Sequence, residues 1–224
     1  MILYHIDRAG SLSAGKIIQL QNIHEVLTDV KNSPFTQLFD DGVSVFGREY
    51  LNINSNVLPV YPVLFEGKPR NITVPTINVN DFLKNKYSVD NKLIELVCEM
   101  VRRTFFKKYP SRLQSLFAVH DISEFSKWPE LLRSDQESNI HQDIYKIEVS
   151  DKTPCFDANH LRGGIVAGID AGQRQPGFYY GVRIDLMFDC AYRYWSGELT
   201  DNPRMEYLVK LPVKIGPRIE INAV

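Results

Sequence analysis

Apolar residues occupy both faces of the opening segment, Ile2-Leu3-Tyr4-His5-Ile6-Asp7, which is the pattern of a buried strand. Gly10, Ser11, Ser13 and Gly15 interrupt it, and Lys16-Ile17-Ile18-Gln19-Leu20 resumes as a second short strand. Residues 22–31 and 33–41 read as short helices that end near Pro34 and Gly42. From Ser44 to Thr76 the chain is rich in Asn, Pro and Gly with only brief apolar pairs, which predicts an irregular lobe at about residues 44–85. The clearest helix runs from about Val89 to Lys108. Leu93, Leu96, Val97, Met100, Val101 and Phe105 fall at helical spacing there, Ser88 and Asp90 can cap the start, and Pro110 follows the end. This periodicity predicts a core-packing helix with no chemistry of its own.

Beyond it, the segment from Ser111 to Val119 alternates as a strand, residues 122–133 read as a short helix, and Ile144 to Val149 alternate strictly. The glycine-rich stretch from Gly163 to Gly181 matches neither G-x-G-x-x-G after a strand nor G-x-x-x-x-G-K-[ST], so it predicts a lid or surface loop. Residues 184–195 are helical in pattern, and Met205–Val209 and Val213–Ile215 close the chain as strands. The expected class is α+β in a single domain covering residues 1–224.

Composition narrows the possibilities. The chain has 224 residues, 44% of them hydrophobic and 24% charged, which suits an ordinary globular domain and excludes global disorder, collagen and coiled coil. No apolar run approaches the roughly 18 residues that span a bilayer, and the N-terminus lacks a basic stretch leading into an apolar one. The expectation is a soluble, cytoplasmic protein with no membrane partner. Net charge is −1, so a phosphate-binding excess is absent, although Arg102, Arg103, Lys107 and Lys108 form a local basic cluster. Cys98, Cys155 and Cys190 are widely spaced and the five histidines are scattered, so neither a disulfide framework nor a metal site is expected. Cys98 reads as a small buried hydrophobe within the long helix.

Three segments carry polar residues that a plain core does not require. In the first, His5 and Asp7 share a strand face and Arg8 stands at its end. In the second, Ser111, Ser115 and Phe117 share a face, with Arg112 beside them. In the third, Tyr194-Trp195-Ser196-Gly197-Glu198 precedes Arg204-Met205-Glu206-Tyr207-Leu208-Val209. Glu206 there heads an apolar strand, where a carboxylate must face water or be paired. Taken singly, each has a plain structural reading: a hydrogen-bonded core histidine, surface serines, and a strand-edge charge.

In this order the segments resemble the ADP-ribosyltransferase superfamily. The opening Leu-Tyr-His-Ile-Asp-Arg-Ala-Gly-Ser-Leu, the middle Ser-Arg-Leu-Gln-Ser-Leu-Phe-Ala and the Tyr-Trp-Ser-Gly-Glu stretch resemble a bacterial branch within or near it. The resemblance implies two small packed β-sheets with surrounding helices. It also implies NAD-dependent transfer of ADP-ribose to a macromolecule with release of nicotinamide. In the family's three-part site, written His-Tyr-Glu or Arg-Ser-Glu, the first position would fall on His5, binding a ribose of NAD, with Arg8 a second contact. The last would fall on Glu206 as catalytic carboxylate, with Glu198 as the fallback. The middle position stays open among Ser111, Arg112, Ser115, Phe117 and Tyr145.

Arg204 stands two residues before Glu206, where arginine-modifying relatives carry a second acid. This turns the expectation narrowly from an arginine acceptor toward RNA or DNA. The resemblance further implies an intracellular toxin or phage-defence role with a neutralising antitoxin partner, and no metal. NAD hydrolysis and a non-catalytic binding module of the same fold remain the alternatives.

Overall fold

A computed structural model describes residues 1–7, 10–23, 37–51, 93–128, 143–162, 165–170 and 177–219. The strands are β1 (Ile2–Asp7), β2 (Ile17–Ile18), β3 (Ser115–Ala118), β4 (Asp143–Glu148) and β5 (Cys155–Asp157). They continue with β6 (Ile165–Asp170), β7 (Gly177–Val182), β8 (Met205–Lys210) and β9 (Val213–Ile219). The helices are α1 (Val45–Leu51), α2 (residues 93–105) and α3 (Ile184–Ser196). The fold is α+β, with a four-stranded sheet ordered β1-β4-β9-β2, a three-stranded sheet ordered β3-β8-β5, and a β6-β7 hairpin. Every strand pair in these sheets is antiparallel.

The two larger sheets meet at their edges. Tyr4 of β1 and Val119, just beyond β3, exchange backbone hydrogen bonds of 2.8 and 2.9 Å. Strand alternation then sorts the side chains. Leu3, Ala118, Tyr145, Ile147, Val209 and Ile215 form one buried cluster between the sheets. On the opposite face of β8, Leu208 packs with Phe156, Cys98, Val101, Ala191, Tyr194 and Trp195 beneath α2 and α3. Full burial of such side chains stabilises by about 1.5–3 kcal/mol each, so both faces of the β3-β8-β5 sheet are anchored.

Helix α3 buries Met187, Ala191, Tyr194 and Trp195, a single stripe at helical spacing. It stops at Gly197, whose φ of 80° is open to glycine without strain and whose N–H bonds the Tyr194 carbonyl at 3.1 Å. Helix α1 lies directly against the chain at Leu113: a Cβ at Gly47 would collide with the Leu113 carbonyl oxygen. Ser44 N–H and its hydroxyl both donate to that same oxygen, at 2.9 and 3.1 Å.

Several sequence expectations are corrected here. Helix α2 packs on the core as expected but turns only part of its apolar stripe inward, Val101 and, less deeply, Val97. Leu96, Met100 and Phe105 are 43, 48 and 54% exposed, while Glu95, Cys98, Glu99, Val101 and Arg102 face the interior. The reason is chemical: the carboxylates Glu95 and Glu99 each meet a buried arginine. The expected strand from Ser111 begins later, because Ser111 caps a 3-10 turn over Arg112–Gln114, its hydroxyl accepting from Leu113 N–H. The expected helix over 122–133 is a 3-10 segment, Ile122–Lys127, as far as the described residues reach. The described residues of the glycine-rich stretch form the paired strands β6 and β7 and not a bare loop, with Ile165 paired to Val182 and Asp170 to Gly177. The predicted irregular lobe opens with α1, and its remainder from residue 52 lies outside the described residues, as do most of the helices expected over 22–31 and 33–41.

Candidate functional site

A cleft of about 730 Å3 opens where the two sheets meet. It is lined by His5 and Asp7 from β1, Ser115 and Phe117 from β3, and Glu206 from β8, together with Arg112 and Glu95. Pairing explains how these come together. Phe117 lies opposite Leu208, and Phe156 opposite Glu206, so Ser115, Phe117 and Glu206 share the sheet face beneath α2 and α3. Phe46, Tyr50 and Trp128 add aromatic walls, with Phe46 meeting Phe117 edge-on at 4.6 Å between ring centroids.

Arg112 is the centre of charge. Its Nε donates to Glu95 Oε2 at 2.9 Å and its Nη2 to Glu95 Oε1 at 2.9 Å, a paired fork. Its Nη1 donates to Tyr194 Oη at 2.8 Å and makes a short hydrogen-bonded ion pair with Glu206 Oε1. Tyr194 Oη in turn donates to the same Glu206 oxygen at 2.7 Å. The Phe117 and Tyr194 rings lie 4.7 and 5.2 Å from the guanidinium carbon. Among the described residues, every side-chain hydrogen bond of Glu206 converges on Oε1.

Burial pushes the Glu206 carboxyl up from its ordinary value, against the pull of Arg112 and the Tyr194 hydroxyl, and Glu95 adds to the rise. Tyr194 is raised in the same way, first by burial and then by its acidic neighbours, so its hydroxyl stays a donor. His5 is half-buried, and its Nδ1 lies 2.7 Å from the Phe117 carbonyl oxygen. A carbonyl only accepts, so Nδ1 carries the proton and Nε2 is the acceptor. Burial also lowers the His5 pKa, which keeps the ring neutral at neutral pH.

The entry to β8 is fixed by Asp157, which is fully buried. Its carboxylate accepts from Asn159 N–H, Thr200 N–H, Thr200 Oγ1 and Arg204 N–H at 2.9, 2.8, 2.6 and 2.9 Å. Arg204, two residues before Glu206, places its guanidinium 4.4 Å from the centre of the Trp128 ring. Among the described residues the buried Trp128 indole nitrogen has no hydrogen-bond acceptor.

His5, Arg112, Ser115, Phe117 and Glu206 of the sequence-derived candidates therefore share one cleft. Ser115 contributes mainly structure, its hydroxyl donating to Ser111 O at 2.7 Å. Ser111 is not a cleft residue: its hydroxyl donates to Glu99 Oε2 at 2.8 Å. Tyr145 also falls outside; its ring is in the core between the sheets and its hydroxyl donates to Leu12 O at 2.9 Å. Glu198 is exposed and paired with Arg193 at 2.9 Å, away from the cleft lining. Arg8 lies outside the described residues.

The expected basic surface shrinks as well. Arg102 is buried on Glu99, and Arg103 is bound to Glu99 at 2.6 Å with its guanidinium over the Phe39 ring. Sequence reasoning passed over Glu95 and the supporting Asp157, and it named Tyr194 without its role on Glu206. A signal existed for Glu95: a carboxylate four residues before Glu99 on one helix face, ahead of an arginine set in an apolar segment. Among the described residues no group of three His, Cys, Asp or Glu side chains is arranged to hold a metal ion, and no helix is long and apolar enough to cross a membrane.

Residues 3–221 match the family described as "Protein of unknown function (DUF2441)", and the chain belongs to that family. No curated protein matches it.

Proposed function

We propose that this family member binds NAD in the cleft and transfers ADP-ribose to a macromolecule, releasing nicotinamide, with Glu206 as the catalytic carboxylate. One observation carries the reading. His5, Phe117 and Glu206 come from three distant segments, and all line a single cleft whose volume, about 730 Å3, falls within the range of small-molecule sites.

The chemistry follows from the side chains. The bond between C1′ of the ribose and the nicotinamide nitrogen breaks, and its electron pair leaves with nicotinamide. Positive charge builds on the ribose as in glycoside cleavage. Glu206 Oε2, which carries no side-chain hydrogen bond among the described residues, can accept a ribose hydroxyl and stabilise that charge. The acceptor nucleophile then bonds to C1′ and its proton goes to solvent. Fixed charges of this kind are worth about 10²–10³ in rate. His5 Nε2 is an acceptor for a second ribose hydroxyl, and the Phe117 ring offers a flat apolar face to nicotinamide.

For the acceptor we favour nucleic acid. The support is Trp128, which lines the cleft, and Arg204, whose guanidinium lies over the Trp128 ring: an indole and a cation that suit a base and a phosphate. The test is incubation of purified protein and cell lysate with NAD labelled in its adenylate. Nicotinamide release with label in a nuclease-sensitive polymer is the expected result. Protease-sensitive label makes the acceptor a protein, and free ADP-ribose makes the reaction hydrolysis. NAD that neither binds nor turns over overturns the reading.

A further inference from the structure

Glu206 cannot be understood apart from the charges that face it. From the 3-10 turn comes Arg112, from α2 come Glu95 and Cys98, from α3 comes Tyr194, and from β5 comes Cys155. Two buried carboxylates, Glu95 and Glu206, thus share one guanidinium. Without it, like charges on one buried wall would compete for a proton.

Arg112 is also nearly exhausted as a donor. An arginine has five N–H groups. Here Nε and Nη2 serve Glu95, while Nη1 serves both Tyr194 and Glu206. Two aromatic rings flank the guanidinium. A group so enclosed has little left to offer a pyrophosphate entering from the cleft.

We infer that Arg112 is a positioning residue that orients Glu206 and holds it ionised through a Glu95–Arg112–Glu206 relay, and that it does not bind the phosphates of the ligand. The inference rests on the reading of the cleft as the site of NAD cleavage, and it gives Arg112 a different part from the direct NAD contact for which the sequence resemblance leaves it one of five candidates. Burial drives the Glu206 carboxyl up with a smaller push from Glu95, and Arg112 is the largest influence opposing that rise. The relay further implies that Glu95 tempers Arg112, since each carboxylate draws on the same charge.

The test pairs a titration with kinetics. The double variant Glu95→Gln/Arg112→Gln removes one charge of each sign and leaves amides able to hydrogen-bond. The 13C resonance of the Glu206 side-chain carboxyl is followed against pH in both proteins, with no ligand present. In the double variant Glu206 is expected to titrate at higher pH than in the native protein. Affinity for NAD is expected to stay within about threefold, while turnover at neutral pH falls about tenfold or more and recovers as pH rises. An unmoved Glu206 titration overturns the inference. So does an NAD affinity loss of about tenfold or more, the size expected when a charged contact to phosphate is removed.

Should the double variant not fold, Glu95→Gln alone is decisive. Arg112 then serves Glu206 undivided, and Glu206 must titrate at lower pH than in the native protein; no shift overturns the relay. If the native protein neither binds nor cleaves NAD, the functional reading fails, and the Glu206 titrations still decide the role of Arg112.

Discussion

His5 Nδ1 and the backbone oxygen of Phe117 are 2.7 Å apart, so the histidine ties the edge strand of one sheet to the edge strand of the other. That bond fixes the tautomer and, with burial, holds the ring neutral. The folded-state pKa lies below the ordinary value of 6.5. As pH falls through 6.5 the unfolded chain takes up a proton that the folded chain refuses, so stability is full above 6.5 and declines below it. Urea denaturation of the native protein and His5→Gln across this range should show a steeper acid loss in the native protein. Equal slopes would mean that His5 does not titrate differently in the two states. The remaining histidines, His24, His120, His141 and His160, are common to both proteins and cancel in the comparison.

Glu206→Gln retains a group that can accept from Arg112 and Tyr194 while removing the negative charge. Turnover of NAD is expected to fall about tenfold or more, with the circular dichroism spectrum unchanged. Undiminished turnover in this variant would remove Glu206 from the chemistry.

The path from sequence to structure was open where periodicity was one-sided. β1, β8 and α3 stand where the pattern set two strands and a helix, although Ile2 at the start of β1 is exposed, and residues of the three candidate segments meet at a cleft. Helix α2 was closed to that reading. Its apolar residues at helical spacing are divided between two faces, and the face that turns in was chosen by Arg112, seventeen residues beyond Glu95. A period of 3.6 registers hydrophobicity and is blind to a carboxylate whose burial depends on a distant cation. The same blindness hid Tyr194, which reads as core until its hydroxyl is seen on Glu206. Glycines misled in the opposite direction: Gly168 and Gly181 lie within paired strands, where β-prone Ile, Val, Phe and Tyr neighbours outweigh them.

Asp157 is expected to matter for both stability and catalysis. Burial raises its carboxyl, but hydrogen bonds from Thr200, Asn159 and Arg204 outweigh that and leave it below the ordinary 3.8. Its contribution is therefore complete above 3.8 and lost as pH falls through the depressed value. Asp157→Ala should cost about 3 kcal/mol or more, because bonds to a charged group contribute about 1.5–3 kcal/mol each and the orphaned N–H groups are buried or half-buried. Chemical denaturation at neutral pH measures this, and a loss under about 1 kcal/mol would show that the loop before β8 is held by other means.

Trp128 provides a check on the cleft that leaves the charges untouched. Its buried indole N–H has no acceptor among the described residues, and a ligand in the cleft would supply one. Trp128→Phe removes the donor and keeps a ring beneath Arg204. Calorimetric affinity for NAD should weaken about tenfold. Unaltered affinity would place the bound ligand elsewhere in the cleft.

Gly47 gives the cleft a mechanical property that its chemistry alone does not reveal. With no side chain between them, α1 and the turn bearing Arg112 touch backbone to backbone at Leu113. Phe46, beside Gly47, leans on Phe117, and Phe117 covers Arg112. Hydrogen is thus the spacer that sets the gauge of the cleft. A single methyl group at position 47 would act as a shim, pushing the aromatic wall off its seat and widening the aperture while every charged residue kept its identity. The width of the cleft is in this way written into an atom that does not line it.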